Sequence, residues 1–373
     1  MMTAPLKFLE LPWLAQEEII SKTNILDLIK FTLASPRLFT IVKTANRRVE
    51  MIEFWFQDEI ESFIQLCEEK NKAEFEITFP DPEDLESARE EICKGKQYAD
   101  VFKKFTIHGV TVFLSSTQEN PMAPHSKKIV VDFIEPTRDQ QKRAMRMFTE
   151  HIWTLFKYKG HSLCYHSNDR INDCWVFGFT KQFSYMAVDN EFSDNTMTVR
   201  DIQWLLETVK CDDLFFRPPV RQDRAYLRPL TTKYITMEHA EWMSLESLLN
   251  SESVSIFVFK DSLRDAELNW IIHAWMNGGL AKLQSFVMNF QAPLVHSRNI
   301  VFGRVSHAPA DTANRPAYFN DSFTEKWTRN DDAVDIKTND GKLTATVTMG
   351  PMHGVRGFGM FIWHETYNLK KDD

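Results

Sequence analysis

The chain has 373 residues, 43% hydrophobic and 26% charged, with 52 acidic against 44 basic side chains and a net charge of −8. This composition excludes global disorder and any chain-wide attraction to nucleic acid or anionic lipid, and the length suits more than one domain. Aromatic residues reach 13% while glycines number only 12, which points to a large apolar core or contact surface and away from glycine-loop architectures such as many nucleotide-binding enzymes.

In chain order, residues 6–50 read as three short helices. Pro12 suits a first helical turn, where its missing N–H costs nothing. Around it, Leu11, Leu14, Ala15 and Ile19 fall on one side and Leu9, Trp13 and Ile20 on another. Asn24 is a candidate cap for a second helix with Ile25, Leu28, Ile29 and Leu33 at helical spacing. Ser35-Pro36 opens a third, with Leu38, Phe39, Ile41 and Val42. Three such helices cannot bury that much apolar surface among themselves, so the surplus has to meet the rest of the chain or a partner.

Residues 47–72 read as a helical connector and 74–79 as a strand, followed by a charged helix at 82–93. Alternation over 104–115 around Gly109, a polar loop at 117–127, a strand at 128–134 and a long helix at 138–157 come next. Strand-like runs then recur at 162–166, 184–189, 213–217, 233–237, 254–259 and 283–290, with helical signals at 198–209, 242–249 and 264–276. Strand, helix, strand at roughly 20–30 residues predicts parallel strands curving into a leucine-rich-repeat-like solenoid. Alternation on both sides of Asn339-Asp340-Gly341, with 359–365 as a further strand, predicts a small antiparallel hairpin sheet capping its end. The expected class is therefore α+β / α/β. Its parts are a three-helix module at 5–46, a helical connector with the first strand and helix unit at 47–95, a repeat-like recognition region at 96–330 and a cap at 331–373.

Motifs for chemistry are sparse. Gly160 to Cys164 misses a nucleophile elbow by carrying Cys164 where a second glycine belongs, and Ser162 sits inside a strand-like run. His161, Cys164, His166 and Cys174 have metal-ligand chemistry, but strand parity sends neighbouring members to opposite faces. A calcium loop around Asp340-Gly341 would need ligands at Ile336 and Val347, neither of which has one to give. Residues 355–360 hold one G-x-G without a third glycine or a following helix. No converging catalytic set is visible, so no enzyme activity, cofactor or metal is expected. Trp242, Trp270 and Trp275 read as core rather than as a recognition surface. Arg217, Arg221, Arg224 and Arg228 form either a solvated loop or part of a partner-contact edge. Five scattered cysteines without a CxxC pair fit reduced thiols, the N-terminus does not read as a signal peptide, and no run of 18 apolar residues spans a membrane. The expectation is an intracellular protein of cytoplasm and/or nucleus.

The first helices resemble an F-box. The resemblance is carried by Leu11-Pro12, Ile19-Ile20, Asp27-Leu28, Leu33-Ala34-Ser35 and Arg37-Leu38, over roughly residues 5–46. It departs at Thr23, Ala34, Pro36 and Leu38, where leucine, valine, a residue other than proline and tryptophan are usual. A second resemblance is to the type 2 F-box-associated domain of a large nematode F-box family, with its core at about 184–290. Its carriers are Ile202-Gln203-Trp204-Leu205-Leu206 and Cys211, then residues 242–249, Leu268-Asn269, Trp275, Gly278-Gly279 and Leu283. Asp335-Ile336-Lys337, Asp340-Gly341 and Ala345-Thr346-Val347 look like that family's ending.

Together these resemblances imply a substrate-recognition adaptor of an SCF (Skp–cullin–F-box) ubiquitin ligase. Leu11, Pro12, Ile19, Ile20, Leu28, Leu33 and Leu38 would form the set that docks on a Skp-type linker protein, and through it a cullin. Some of the seven pack the three helices together instead. The C-terminal region would hold a target protein, with neither nucleic acid nor membrane as partner, and the chain would supply proximity rather than chemistry. The competing expectations are an interaction scaffold that binds partners without ligase activity, a diverged F-box that no longer binds, and an enzyme with an unrecognised site.

Overall fold

The computed structural model describes residues 8–57, 62–67, 74–80, 85–93, 96–107, 110–115, 118–120, 123–132, 137–166, 170–189, 197–221, 224–260, 263–290, 296–311, 318–320, 326–328, 332–352 and 355–363. The chain packs as two units, one of residues 1–167 with 174–180 and the other of 168–173 with 181–373. Residues 96–330 are shared between the two units, and 331–373 lies in the second.

The first unit opens with α1 (Trp13–Lys22), α2 (Ile25–Ala34) and α3 (Pro36–Ala45). Pro12 lies one residue outside α1, in extended backbone. Asn24 caps α2 by accepting from the Asp27 N–H at 2.8 Å, and Ser35 caps α3 with Pro36 as its first residue. The middle helix is the one that is swallowed: Ile25, Leu26, Leu28, Ile29 and Thr32 are all buried. Each such aliphatic side chain stabilises by about 1.5–3 kcal/mol. Arg47 donates to the carbonyls of Ile20 (2.9 Å) and Thr23, closing the end of α1.

The connector expected as helix from 47 to 72 is instead a pair of antiparallel strands, β1 (Arg48–Gln57) and β2 (Ser62–Cys67), with Phe54 opposite Ile64. The physical reason is the period: Ile52, Phe54 and Phe56 are buried at alternate positions, and the first two face the buried Leu66 and Ile64 on the partner. Glutamates interleaved among them mimic a helical surface. Next come β3 (Glu74–Phe79), α4 (Leu85–Cys93), α5 (Tyr98–Val101), β4 (Phe102–Ile107), β5 (Val110–Ser115), β6 (Gln118–Asn120), β7 (Ala123–Asp132), α6 (Arg138–Leu155) and β8 (Lys157–His166). The polar loop expected at 117–127 thus contains β6 and the first half of β7. Across the sheet, β8 lies parallel to β1, β2 and β3 follow antiparallel, β7 joins β3 in parallel, and β5 and β6 pair with β7 while β4 pairs with β5.

The second unit contains β9 (Gln182–Val188), β10 (Met197–Thr198), α7 (Val199–Thr208), β11 (Lys210–Phe216), β12 (Val220–Arg221), β13 (Tyr234–His239), α8 (Leu245–Leu249), β14 (Ser255–Lys260), α9 (Asp265–Met276) and β15 (Ser285–Asn289). After these come α10 (Arg298–Val301), β16 (His307–Pro309), β17 (Tyr318–Asn320), β18 (Lys326–Thr328), β19 (Val334–Lys337), β20 (Thr344–Met352) and β21 (Val355–Trp363). β9, β11, β13, β14 and β15 stand side by side and parallel in chain order. β21 then adds antiparallel to β15, followed by β20, β19 and β16. In register, Val188, Phe216, Met237, Val258, Met288 and Phe358 form one buried row across six strands. The helices between strands bury their own apolar sides, and Phe216 meets Trp242 edge-on at 6.1 Å. Trp242 and Trp275 are core, as expected, but Trp270 is 54% exposed. Five residues at 100° each put positions 270 and 275 about 140° apart on α9, so one face cannot bury both.

Candidate protein-interaction surfaces

The structure divides the seven N-terminal residues expected to dock a partner. Ile20 and Leu28, 2% and 1% exposed, pack inside the first unit and cannot face a partner as the helices stand. Leu11, Leu33 and Leu38 are half-buried, while Pro12 and Ile19 reach the surface. The apolar surface that is free lies partly elsewhere, at Leu14 (77% exposed), Phe31 (50%) and Trp13 (40%). The sequence signal for Trp13 and Leu14 was that α1 carries apolar residues on two sides, more than one helix can bury; Phe31, on α2, had no such signal. α1 buries only Gln16 and Ile20. Gln16 holds the preceding turn in place, its amide donating to the carbonyls of Leu11 (2.9 Å) and Phe8 (3.2 Å). The result is a fixed helix presenting large apolar side chains, an arrangement suited to a helical or grooved protein partner.

The candidates for chemistry fall apart geometrically. His161 stacks on Trp153 with ring centroids 4.7 Å apart, and Cys164 and Cys174 are buried. Burial, with Glu53 adding to it, pushes the Cys164 thiol up to about 12, so it stays a thiol. Burial likewise pushes Cys211 to about 12. Among the described residues no group of three or more His, Cys, Asp or Glu side chains could hold a metal ion. Ser162 lies in mid-strand on β8, not at a strand-to-helix turn. Asp340 accepts from the Thr338 hydroxyl (2.7 Å) and the Lys342 N–H (3.1 Å), contacts that hold its carboxyl near 2 and commit it to the turn between β19 and β20. Residues 355–360 are inside β21, where Gly357 faces Gly350 across the ladder.

The arginine group also divides. Arg217 is tied to Asp189 (2.7 Å) and Glu238 (3.1 Å). Arg221, Arg224 and Arg228 are exposed and lie along α7, where Arg224 donates to Gln203 at 2.8 Å and Arg228 meets Glu207 at 3.1 Å. Among the described residues no helix is long and apolar enough to cross a membrane.

Compared with known families, residues 227–288 match the model of a family described as F-box associated. The match runs from the residue after Tyr226 through β13, α8, β14 and α9 into β15, the middle of the parallel array. It contains Trp242, residues 244–249, Leu268-Asn269, Trp275, Gly278-Gly279 and Leu283, and leaves outside it Ile202–Leu206, Cys211 and the tail. This part of the chain is therefore similar to an F-box-associated domain. Neither the curated proteins nor the solved structures hold a match to the chain.

Proposed function

We propose that this chain is the substrate-recognition adaptor of an SCF ubiquitin ligase, with an F-box of the nematode type in its first three helices. The reading is carried by one pairing on a single chain. A segment similar to an F-box-associated domain at 227–288 accompanies a capped three-helix unit whose Leu14, Trp13, Ile19 and Phe31 lack cover. On this reading α1 and α2 dock on a Skp-type linker, which brings a cullin. The strand and helix array, continued as a leucine-rich-repeat-like solenoid, holds a target protein. The chain itself does no chemistry: it raises the local concentration of a target lysine near a ubiquitin-charged enzyme. The site of action is the cytoplasm and/or nucleus.

The test is co-expression with the linker, then size-exclusion chromatography with light scattering. A 1:1 complex is expected, lost in Leu14→Glu, with the cullin joining as a third component. Leu14 is a better probe than Ile20, because a charge at a 77% exposed position leaves the fold intact, whereas one at 2% exposure unfolds it. A monodisperse protein that ignores the linker sinks the reading. Linker binding without cullin recruitment would instead identify an interaction scaffold.

A further inference from the structure

We infer that the cleft beside the C-terminal end of α7 is a binding site for a free amino acid with an apolar side chain. The cleft has a volume of about 580 Å³ and lies within the second unit, against the first residues of β9 and β11 and the approach to β13. That size is within the range of small-molecule sites. Backbone bonds hold its walls. The Lys210 N–H donates to the Lys181 carbonyl (2.8 Å), and the Val209 N–H closes α7 on the Leu205 carbonyl (2.9 Å). On the other side the Lys233 carbonyl accepts from the N–H groups of Val254 (2.7 Å) and Ser255 (3.2 Å).

Among the described residues, Lys210, Asp212 and Lys233 line this cleft without an ion-pair partner. Lys210 and Asp212 stand two apart on β11 and so share one face of the strand. Tyr234 of β13 lies opposite Asp213, which puts Lys233 level with Asp212 on the neighbouring strand. The Lys233 ammonium lies over the Tyr234 ring at 4.8 Å and not on a carboxylate. Glu207, a further acid on the wall, is taken by Arg228 at 3.1 Å. Thr232 also lines the cleft; it is only 7% exposed, and its hydroxyl makes no hydrogen bond among the described residues. A hydroxyl buried without a partner destabilises the fold, and a ligand oxygen relieves that cost.

The set calls for a ligand that carries both signs of charge close together beside an apolar body. The carboxylate of an amino acid pairs with Lys210 and Lys233, and its ammonium pairs with Asp212. Its side chain covers Phe183, Leu206 and Val209, the apolar part of the wall. A simple anion is repelled by Asp212, and a simple cation meets two ammonium groups. The Cys211 thiol on the same wall donates to the Asp213 carbonyl at 2.9 Å, and binding asks for no covalent step from it.

The test is isothermal titration calorimetry of the purified full chain with leucine, methionine and phenylalanine, each also in its N-acetyl and amide forms. Two temperatures are used, because apolar burial makes the heat of binding differ between them. At least one of the three amino acids is expected to bind, at least about tenfold more tightly than either of its capped forms, which lack one charge. Lys233→Gln should weaken the amino acid but not its amide, and Asp212→Asn should weaken the amino acid but not its N-acetyl form. Thr232→Val should weaken binding at least about threefold while the melting temperature holds or rises, a pairing that a purely structural hydroxyl does not give. Lys337→Gln, at an exposed cation on β19, should change neither. No binding of any of the three up to about 10 mM, or capped forms that bind as well as their parents, overturns the inference. The site needs neither the linker nor a target, so its failure leaves the adaptor reading untouched, and the converse holds.

Discussion

Thr32 on α2 and His151 on α6 stand 119 positions apart and meet at 2.8 Å between Oγ1 and Nε2. The Thr32 hydroxyl spends its one proton on the Ile29 carbonyl at 2.7 Å, so it accepts from His151, and the ring carries its hydrogen on Nε2. Phe39 of α3 lies over the same imidazole at 5.0 Å. Two of the three N-terminal helices thus close on α6 around this imidazole. Thr32→Val keeps the shape and strands the ring N–H, which is expected to cost about 1–3 kcal/mol. Urea unfolding checks it. An additional His151→Phe substitution should recover part of the loss, because both polar partners are then gone.

Asp132 at the end of β7 is buried and takes three charge-assisted bonds, from Arg89 at 2.7 and 2.9 Å and from the Tyr98 hydroxyl at 2.6 Å. Asp132→Ala leaves the Arg89 charge without its partner and is expected to cost about 3–5 kcal/mol, whereas the double change Asp132→Leu with Arg89→Met should cost less. A double-mutant cycle in denaturant measures the difference, and equal losses would refute the coupling.

Three tyrosines resist ionisation in the folded chain. Burial raises the Tyr98 phenol, with the Asp132 carboxylate adding to it; burial alone raises Tyr158, and burial with Glu207 raises Tyr226. The sign follows directly: folded values above the unfolded value of about 10 mean stability that is complete below about pH 10 and falls as pH rises past it. Tyr158 donates to the Ile152 carbonyl at 2.8 Å, a bond that ionisation abolishes. Unfolding free energy measured at about pH 8 and about pH 11 should drop in the natural chain and drop less in Tyr158→Phe.

Gly278 ends α9 with φ +86°, donating to the Trp275 carbonyl, while Gly279 donates to Ala274 at 2.9 Å. A methyl group at 278 meets no atom within 4 Å, so Gly278→Ala tests conformation alone and is expected to cost about 1 kcal/mol. At 279 an added Cβ would come within 2.9 Å of the Ala274 carbonyl oxygen, so Gly279→Ala should cost more. Thermal unfolding of the two variants ranks them, and the reverse order would contradict this account.

The parallel array was legible because each strand is a short apolar run bounded by polar turns, with an amphipathic helix following several of them. The helix caps were legible for a similar reason: Asn24 and Ser35 act within four residues of themselves. β1 and β2 were not, since glutamates between the aromatic residues satisfy both periods and only the pairing of Phe54 with Ile64 decides. The seven docking residues were named from a motif, and a motif does not say that Ile20 and Leu28 are buried while Pro12 and Ile19 are exposed. The arginine group was half visible: its members stand out in the sequence, but that Arg217 leaves the group for Asp189 depends on a contact 28 residues away.

The last strand has a role in the order of synthesis. β15, the final parallel strand, has its outer edge filled, among the described strands, by β21, which a ribosome makes much later, after β16 to β20. Until then a nascent chain carries an open row of backbone donors and acceptors beside Val287 and Phe286, a template for pairing with a neighbouring chain. A premature stop before β21 would therefore be harmful out of proportion to the few residues removed, yielding a product prone to aggregate and dependent on chaperones.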